Sequence, residues 1–396
     1  MFGTNQLTES WFARRAGRGP ASRQRHQRPR RTLTVEPLEG RALLSTFTVN
    51  SLGDTGTGTL RWALTQANQT PGNNTINFSV TGTITLNSAL PDLSDTTGLT
   101  DIKGPGAAKL TVARSSAAGT PDFGIFTVDS GADVKLVGLT ITGGLASNGG
   151  GIDNAGTLTL INSTVSSNSV SAGSLYGGGG IYSTGTLTVT NSTFASNSAF
   201  GAGGGILSYG LLTVTNSTFA TNSAELGGGI FSGAGIFGHR GTETVTNCTF
   251  VFNSAERTPE GAAGVGGGIY NADGTLTVTS STFAFNSADH GGGIFNNGTL
   301  TVTNSTFAFN SANSDGGGIA NEGMPAATLT VTNSTIVFNS ANYGGGIYNT
   351  YGTLTVSGST IIGNFASDDG GGIFNIGSLI DGGGNTITGN RPNDVS

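Results

Sequence analysis

The chain has 396 residues, of which 68 are glycine and only 10% are charged, against averages near 7% glycine and about 25% charge. A single cysteine, Cys248, excludes an intrachain disulfide framework. Net charge is −6, but residues 1–41 carry nine Arg against three Glu, which leaves the other 355 residues at −12. That body is a poor match for phosphate backbones, so no nucleic-acid partner is expected. No run approaches the ~18 apolar residues of a spanning helix, so no transmembrane span is expected either.

Residues 1–45 are read as a basic, disordered sorting segment. Their Arg-rich stretch to Arg31 is followed by no apolar core of about 7–15 residues, which excludes an ordinary secretory signal and counts equally against twin-arginine export at Arg14-Arg15. The run PRRTLTVEPLEGRALLS, residues 29–45, resembles the LEPR-XLL sorting segment of planctomycete proteins, with Glu39-Gly40-Arg41 standing where its Glu-Pro-Arg would be. The resemblance implies a bacterial protein delivered to the cell surface or outside the cell. A plain basic tail is the other reading of the same residues.

Residues 46–144 are expected to hold divergent first coils, with strand-like pieces such as FTVNS, TINFSV, GTITLN and VKLVGLTITGG. Between the first two lies TLRWALTQAN, Thr59–Asn68, where Leu60, Ala63, Leu64 and Ala67 share one helical face. A short amphipathic helix there would cover the open end of a solenoid, which otherwise invites aggregation. The run FTVNSLGDTGTGTLRWALTQAN resembles the start of bacterial surface β-helix proteins of the CSLREA kind, with Gly58, Thr59, Leu60, Arg61 and Ala63 matching its core.

Residues 145–396 repeat. Gly-Gly-Gly-Ile recurs with its isoleucine at Ile152, Ile181, Ile206, Ile230, Ile269, Ile294, Ile319, Ile347 and Ile373, mostly 24 to 29 residues apart. Each unit keeps three short strand-like pieces: GGGI with an aromatic, then TLTVT, then STFAF. Leu300 and Val302 alternate with Thr299, Thr301 and Thr303, so one face is apolar. By the same period of two, Phe283 and Phe285 are expected to share a face, as are Phe307 and Phe309. Three strands per unit with no helical period exclude βαβ units, and one coil buries too little apolar surface to offset the entropy of ordering it. The fold predicted is all-β, a right-handed single-stranded parallel β-helix of three-strand coils of about 25 residues with a short N-terminal capping helix. Asn162, Asn191 and Asn304, and six residues later Asn168, Asn197 and Asn310, are expected to stack into internal amide ladders. The GGGI and Phe-x-x-Asn pairs, as at Phe283 and Asn286, are similar to repeats of chlamydial polymorphic outer-membrane proteins, a resemblance that implies an adhesin.

Little in the repeats points to chemistry. Gly233–Gly238, GAGIFG, fits a dinucleotide pattern but has no helix after it, and the glycine repeats lack the Asp of calcium-binding units, so neither cofactor nor metal is expected. Asp368-Asp369 reads as a solvated turn. One coil differs, with 39 residues separating Ile230 from Ile269. It gathers His239, Arg240, Glu243, Glu256, Arg257 and Glu260 in a body otherwise poor in charge, and loop insertions on solenoids often carry binding. Glu243 replaces an inward Leu and is expected to swing outward or pair with Arg240. The residue after each GGGI, at Tyr182, Phe231, Tyr270, Phe295, Tyr348 and Phe374, is expected to point outward, as a glycan-stacking strip or as packing against the turn. The Thr-x-Thr rows resemble in pattern the flat arrays of ice-binding solenoids, but Thr is also simply a good exposed strand residue. The functional expectation is a non-enzymatic structural or adhesive rod whose partners are extracellular polysaccharide or cell-surface proteins. A carbohydrate-binding or pectin-lyase-like site at coil 230–269 is the alternative.

Overall fold

The computed structural model describes residues 44–171, 177–233, 241–257, 261–323 and 327–396. These build a parallel β-helix. Its strands form sheets of 13, 12 and 10 strands, each strand hydrogen-bonded to its counterparts in the preceding and following coils. Unlike the three-strand expectation, most repeat coils carry a fourth, short strand such as Ser311–Asp315, and these form a six-stranded and a two-stranded sheet. In sequence that piece is only Ser-Ala and polar residues, without the β-branched or aromatic character that marks a strand.

The pairing is in register. Leu276, Leu300 and Leu329 stack in one column, and Val278, Val302 and Val331 in the next. Phe194, Phe219, Phe250, Phe283 and Phe307 stack face to face inside, with ring centroids 4.6–4.7 Å apart and planes within 5°. All five are fully buried.

The polar interior is equally ordered. From Asn168 to Asn364, one Asn per coil is buried and donates Nδ2 to the next Asn Oδ1, and the last, Asn390, donates to Asp394 Oδ1. For Asn253, Asn286 and Asn310 these bonds are 2.9 Å. Asn286 also donates to Phe250 O at 3.0 Å, and its Oδ1 also accepts the Asn253 amide at 3.0 Å, so every polar atom of the side chain is satisfied. A second amide column runs through Asn271, Asn296, Asn321, Asn349 and Asn375. A third column is serine, with Ser281, Ser305 and Ser334 each receiving the amide of the serine before, or of Cys248, at 3.1 Å. Cys248 takes a serine's place in that column.

Two expectations fail at the turns. The set Asn162, Asn191, Asn216, Asn247, Asn304 and Asn333 lies outside with φ near +51° and makes one amide bond, Asn247 Nδ2 to Asn216 Oδ1 at 2.7 Å, whereas the set six residues later forms the continuous buried ladder expected of both. Phe285 and Phe309 do not share a face with Phe283 and Phe307. The strand stops at Ala284, and Phe285 takes φ +56° in a left-handed turn, which turns its ring to solvent.

The helix spans Leu60–Gln69 and buries Leu60, Ala63, Leu64 and Ala67 completely, as read from the sequence. Thr59 caps it by accepting from the Trp62 amide at 3.3 Å. Gly58 has φ +78°, and a side chain there would run into Asn50. Arg61 binds Asp54 Oδ1 at 2.6 Å and Ser88 O at 2.9 Å. The motif residues of this run are thus the turn, cap, core and tether of one helix. Among the described residues no helix is long and apolar enough to cross a membrane.

Candidate functional site

Of the residues singled out in the irregular coil, His239, Arg240 and Glu260 lie outside the described residues, as does most of GAGIFG. Glu243 does not swing outward. It stays in the inward column between Leu212 and Leu276, 1% exposed, with neither carboxylate oxygen hydrogen-bonded. Strand register explains this, because a slip that freed Glu243 would also eject Val245 from the core. Burial pushes its pKa up to about 8, and it is not available to a ligand.

Glu256 and Arg257 do face outward. Arg257 Nε lies 3.1 Å from Asp289 Oδ2, and Ser254 Oγ donates to Glu256 Oε1 at 3.1 Å. Burial pushes the Asp289 pKa up, but hydrogen bonds from Asn313, Gly264 and Arg257 outweigh it and hold the carboxyl below its ordinary value. Around this pair lies a hollow of about 410 Å³ lined by Ser254, Ser287, Ser311, Asp289 and Asn313. A second hollow of about 260 Å³, lined by Phe200, Ser223 and Glu225, shares Glu256 and Arg257 with the first. Together they make a trough that crosses five coils along the axis of the solenoid.

The residues after GGGI point out of the barrel, yet they do not form an open strip. Leu207, Phe231 and Ala320 are buried, and Tyr182, Tyr270, Phe295, Tyr348 and Phe374 are half-buried. Phe231, Tyr270 and Phe295 meet edge to face at 5.2 Å, forming a secondary apolar cluster that packs the outside of the sheet. The exposed aromatics are elsewhere. Phe252, Phe285, Phe309 and Phe338, each 47–57% exposed, stack at 5.1–5.3 Å along a corner. Their faces cover one another, so solvent meets ring edges rather than the faces on which sugars stack. Their signal in the sequence is the recurring residue before the ladder Asn. The Thr-x-Thr rows face outward on the 13-stranded sheet, as expected.

A further cluster escaped the sequence reading. His290 Nδ1 lies 2.9 Å from Asp315 Oδ2 and 4.0 Å from Glu322 Oε1. Asp315 beside it raises the imidazole pKa, and burial pushes the Glu322 carboxyl up to about 7. Glu322 also lines a groove of about 310 Å³ with Tyr270, Phe295, Asn297, Thr350 and Tyr351. The spacing 290 to 315 is one repeat, which places both in the column before GGG, and that was the available signal.

No known protein family matches the chain, and no curated protein is similar enough to count as a relative.

Proposed function

We propose that the chain is a secreted or surface-displayed β-helix rod that holds an extended partner, foremost an extracellular polysaccharide, along its side without turning it over. The observation that carries this reading is the trough across five coils. Its serine hydroxyls, the Asn313 amide and the Arg257–Asp289 pair offer donors and acceptors at coil spacing, about 4.8 Å. That is the chemistry of a polyhydroxylated chain laid parallel to the axis, and repeated weak contacts add up along it. Surface placement is supported by the resemblances of residues 29–45 and of the run that leads into the capping helix. Adhesion, as in polymorphic outer-membrane proteins, fits the same rod.

The second reading, a carbohydrate-cleaving site at coil 230–269, draws on Glu256 and Arg257. Binding is favoured over cleavage by where the carboxyls stand. Glu243, with the raised pKa suited to a proton donor, faces the core, and Asp289 is held ionised by its partners. The test is retention of the full-length protein on a panel of insoluble and soluble polysaccharides, combined with a reducing-sugar assay. Binding is expected to weaken a few-fold for each of R257A and N313A, with no sugar released. Release of sugar that disappears in E256Q alone, or no polysaccharide retained at all, would overturn the proposal.

A further inference from the structure

Three side chains able to ligate metal converge where two adjacent coils meet. His290 closes the strand Ser287–His290, Asp315 closes its neighbour Ser311–Asp315, and the two residues pair after a one-residue register shift that follows Ala288. Glu322 ends Ile319–Glu322, the next strand of the same coil as Asp315. The ligand atoms of all three lie within 4.8 Å of one another.

His290 Nδ1 and Asp315 Oδ2 form an ion pair at 2.9 Å, and Glu322 Oε1, shielded from solvent and without a hydrogen bond, faces the same imidazole nitrogen at 4.0 Å. Two donors ~2.1 Å from a metal stand about 3.0 Å apart in an octahedron and about 3.4 Å apart in a tetrahedron. The His290–Asp315 separation of 2.9 Å matches the octahedral value, and Glu322, 4.0 Å from His290 and within 4.8 Å of both, would have to draw in by about 1 Å.

Glu322 borders a groove of about 310 Å³. Along the outward row, Phe295 pairs with Ala320 and Ala320 with Tyr348. The aromatic is thus replaced by a buried Ala on the strand that carries Glu322.

We propose that His290 Nδ1, Asp315 Oδ2 and Glu322 Oε1 form a site for one divalent first-row transition-metal ion, Zn²⁺ or Mn²⁺. One imidazole with two carboxylates suits these ions and is a poor set for Ca²⁺, which takes oxygen ligands. Three protein ligands leave positions open, and the groove that Glu322 lines gives a hydroxyl or carboxylate of a bound molecule a way to reach them. The ion also ties two coils together. The site shares no residue with the trough, so it stands whether or not the rod binds polysaccharide.

The test is calorimetric titration of the full-length, chelator-stripped protein at pH 7.5 with ZnCl₂, MnCl₂ and CaCl₂. The expected result is one Zn²⁺ or Mn²⁺ bound per chain, more tightly than Ca²⁺. H290A and E322Q should each weaken binding about 100-fold, because each removes a direct ligand and outer-shell losses alone cost roughly 10–100-fold. The double variant H26A/H239A, which removes the other two histidines, should bind like the parent. If H290A fails to fold by circular dichroism, E322Q and the visible spectrum of the Co²⁺-loaded parent protein decide. Absence of saturable binding, a preference for Ca²⁺, unchanged affinity in the folded variants, or loss of binding in H26A/H239A would each overturn the assignment.

Discussion

The coil that starts at Ile230 and the one that starts at Ile269 are built on the same columns. Ile230 stacks on Ile269, Val245 on Val278 and Phe250 on Phe283, and the Asn253 side chain bonds that of Asn286. They differ in the extra residues at the turns and in three inward positions, where Ser232 pairs with Asn271, Glu243 faces Leu276 and Cys248 precedes Ser281. Long insertions leave the columns undisturbed, because each strand is fixed by the strands on either side and loop closure costs little per added residue. The same rigidity prevents correction of a misplaced side chain. Glu243 is held in the apolar core because its whole strand would have to slip to release it.

Six substitutions probe this contrast. The largest effect is expected from Phe283→Ala, which opens a hole in the continuous ring stack and should cost about 3–5 kcal/mol in urea denaturation. A loss under 1 kcal/mol would mean the column does not carry the fold.

Glu243→Leu should act in the opposite direction, adding about 3 kcal/mol at pH 7 by removing a buried carboxyl without partners. Leu276→Glu should remove a similar amount. The sign with pH follows from proton binding. A carboxyl with a pKa of about 8 when folded, against an ordinary 4.5, keeps its proton in the folded state over that interval while the unfolded chain loses it. Its contribution to stability therefore falls as pH rises from about 4.5 to about 8 and is level beyond. The difference between parent and E243L melts across pH 4–9 measures it, and a flat difference would contradict the buried, unpartnered placement.

Asn286→Ala should cost about 2 kcal/mol, since it strands the Asn253 amide and the Phe250 carbonyl in the interior. The same change at the exposed Asn304 should be nearly silent, and equal losses at both sites would erase the distinction between ladder and turn. Cys248→Ser should change thermal stability by less than about 0.5 kcal/mol, because serine already fills that column in the neighbouring coils. A large loss there would show that the thiol packs in a way a hydroxyl cannot copy.

The sequence made the columns legible where a residue type recurs at one face of a strand, as with Leu300, Val302, Phe307 and the Leu60–Ala67 face of the helix. It misled where the strand ended sooner than its apolar pattern. Phe285 continues an alternation on paper, but the chain has already entered a left-handed turn that bulky residues seldom adopt. Asn304 and Asn310 are the same residue in similar company, and only their hydrogen-bond partners separate a turn from a ladder. The site was less legible still. Glu256 and Arg257 were found because they break the repeat, whereas His290, Asp315 and Glu322 come together only when residues one coil apart are placed side by side.

The ladder bonds all run along the axis, between one coil and the next, and this sets how the rod behaves under load. A pull on the two ends stretches those bonds directly, so coils are expected to peel away one at a time rather than shear together. Each of the 24- or 25-residue coils would release roughly 85 Å of slack at ~3.4 Å per residue. A β-helix of this kind is expected to yield in a series of steps of similar size, with one longer step at the coil that starts at Ile230, dissipating work at each.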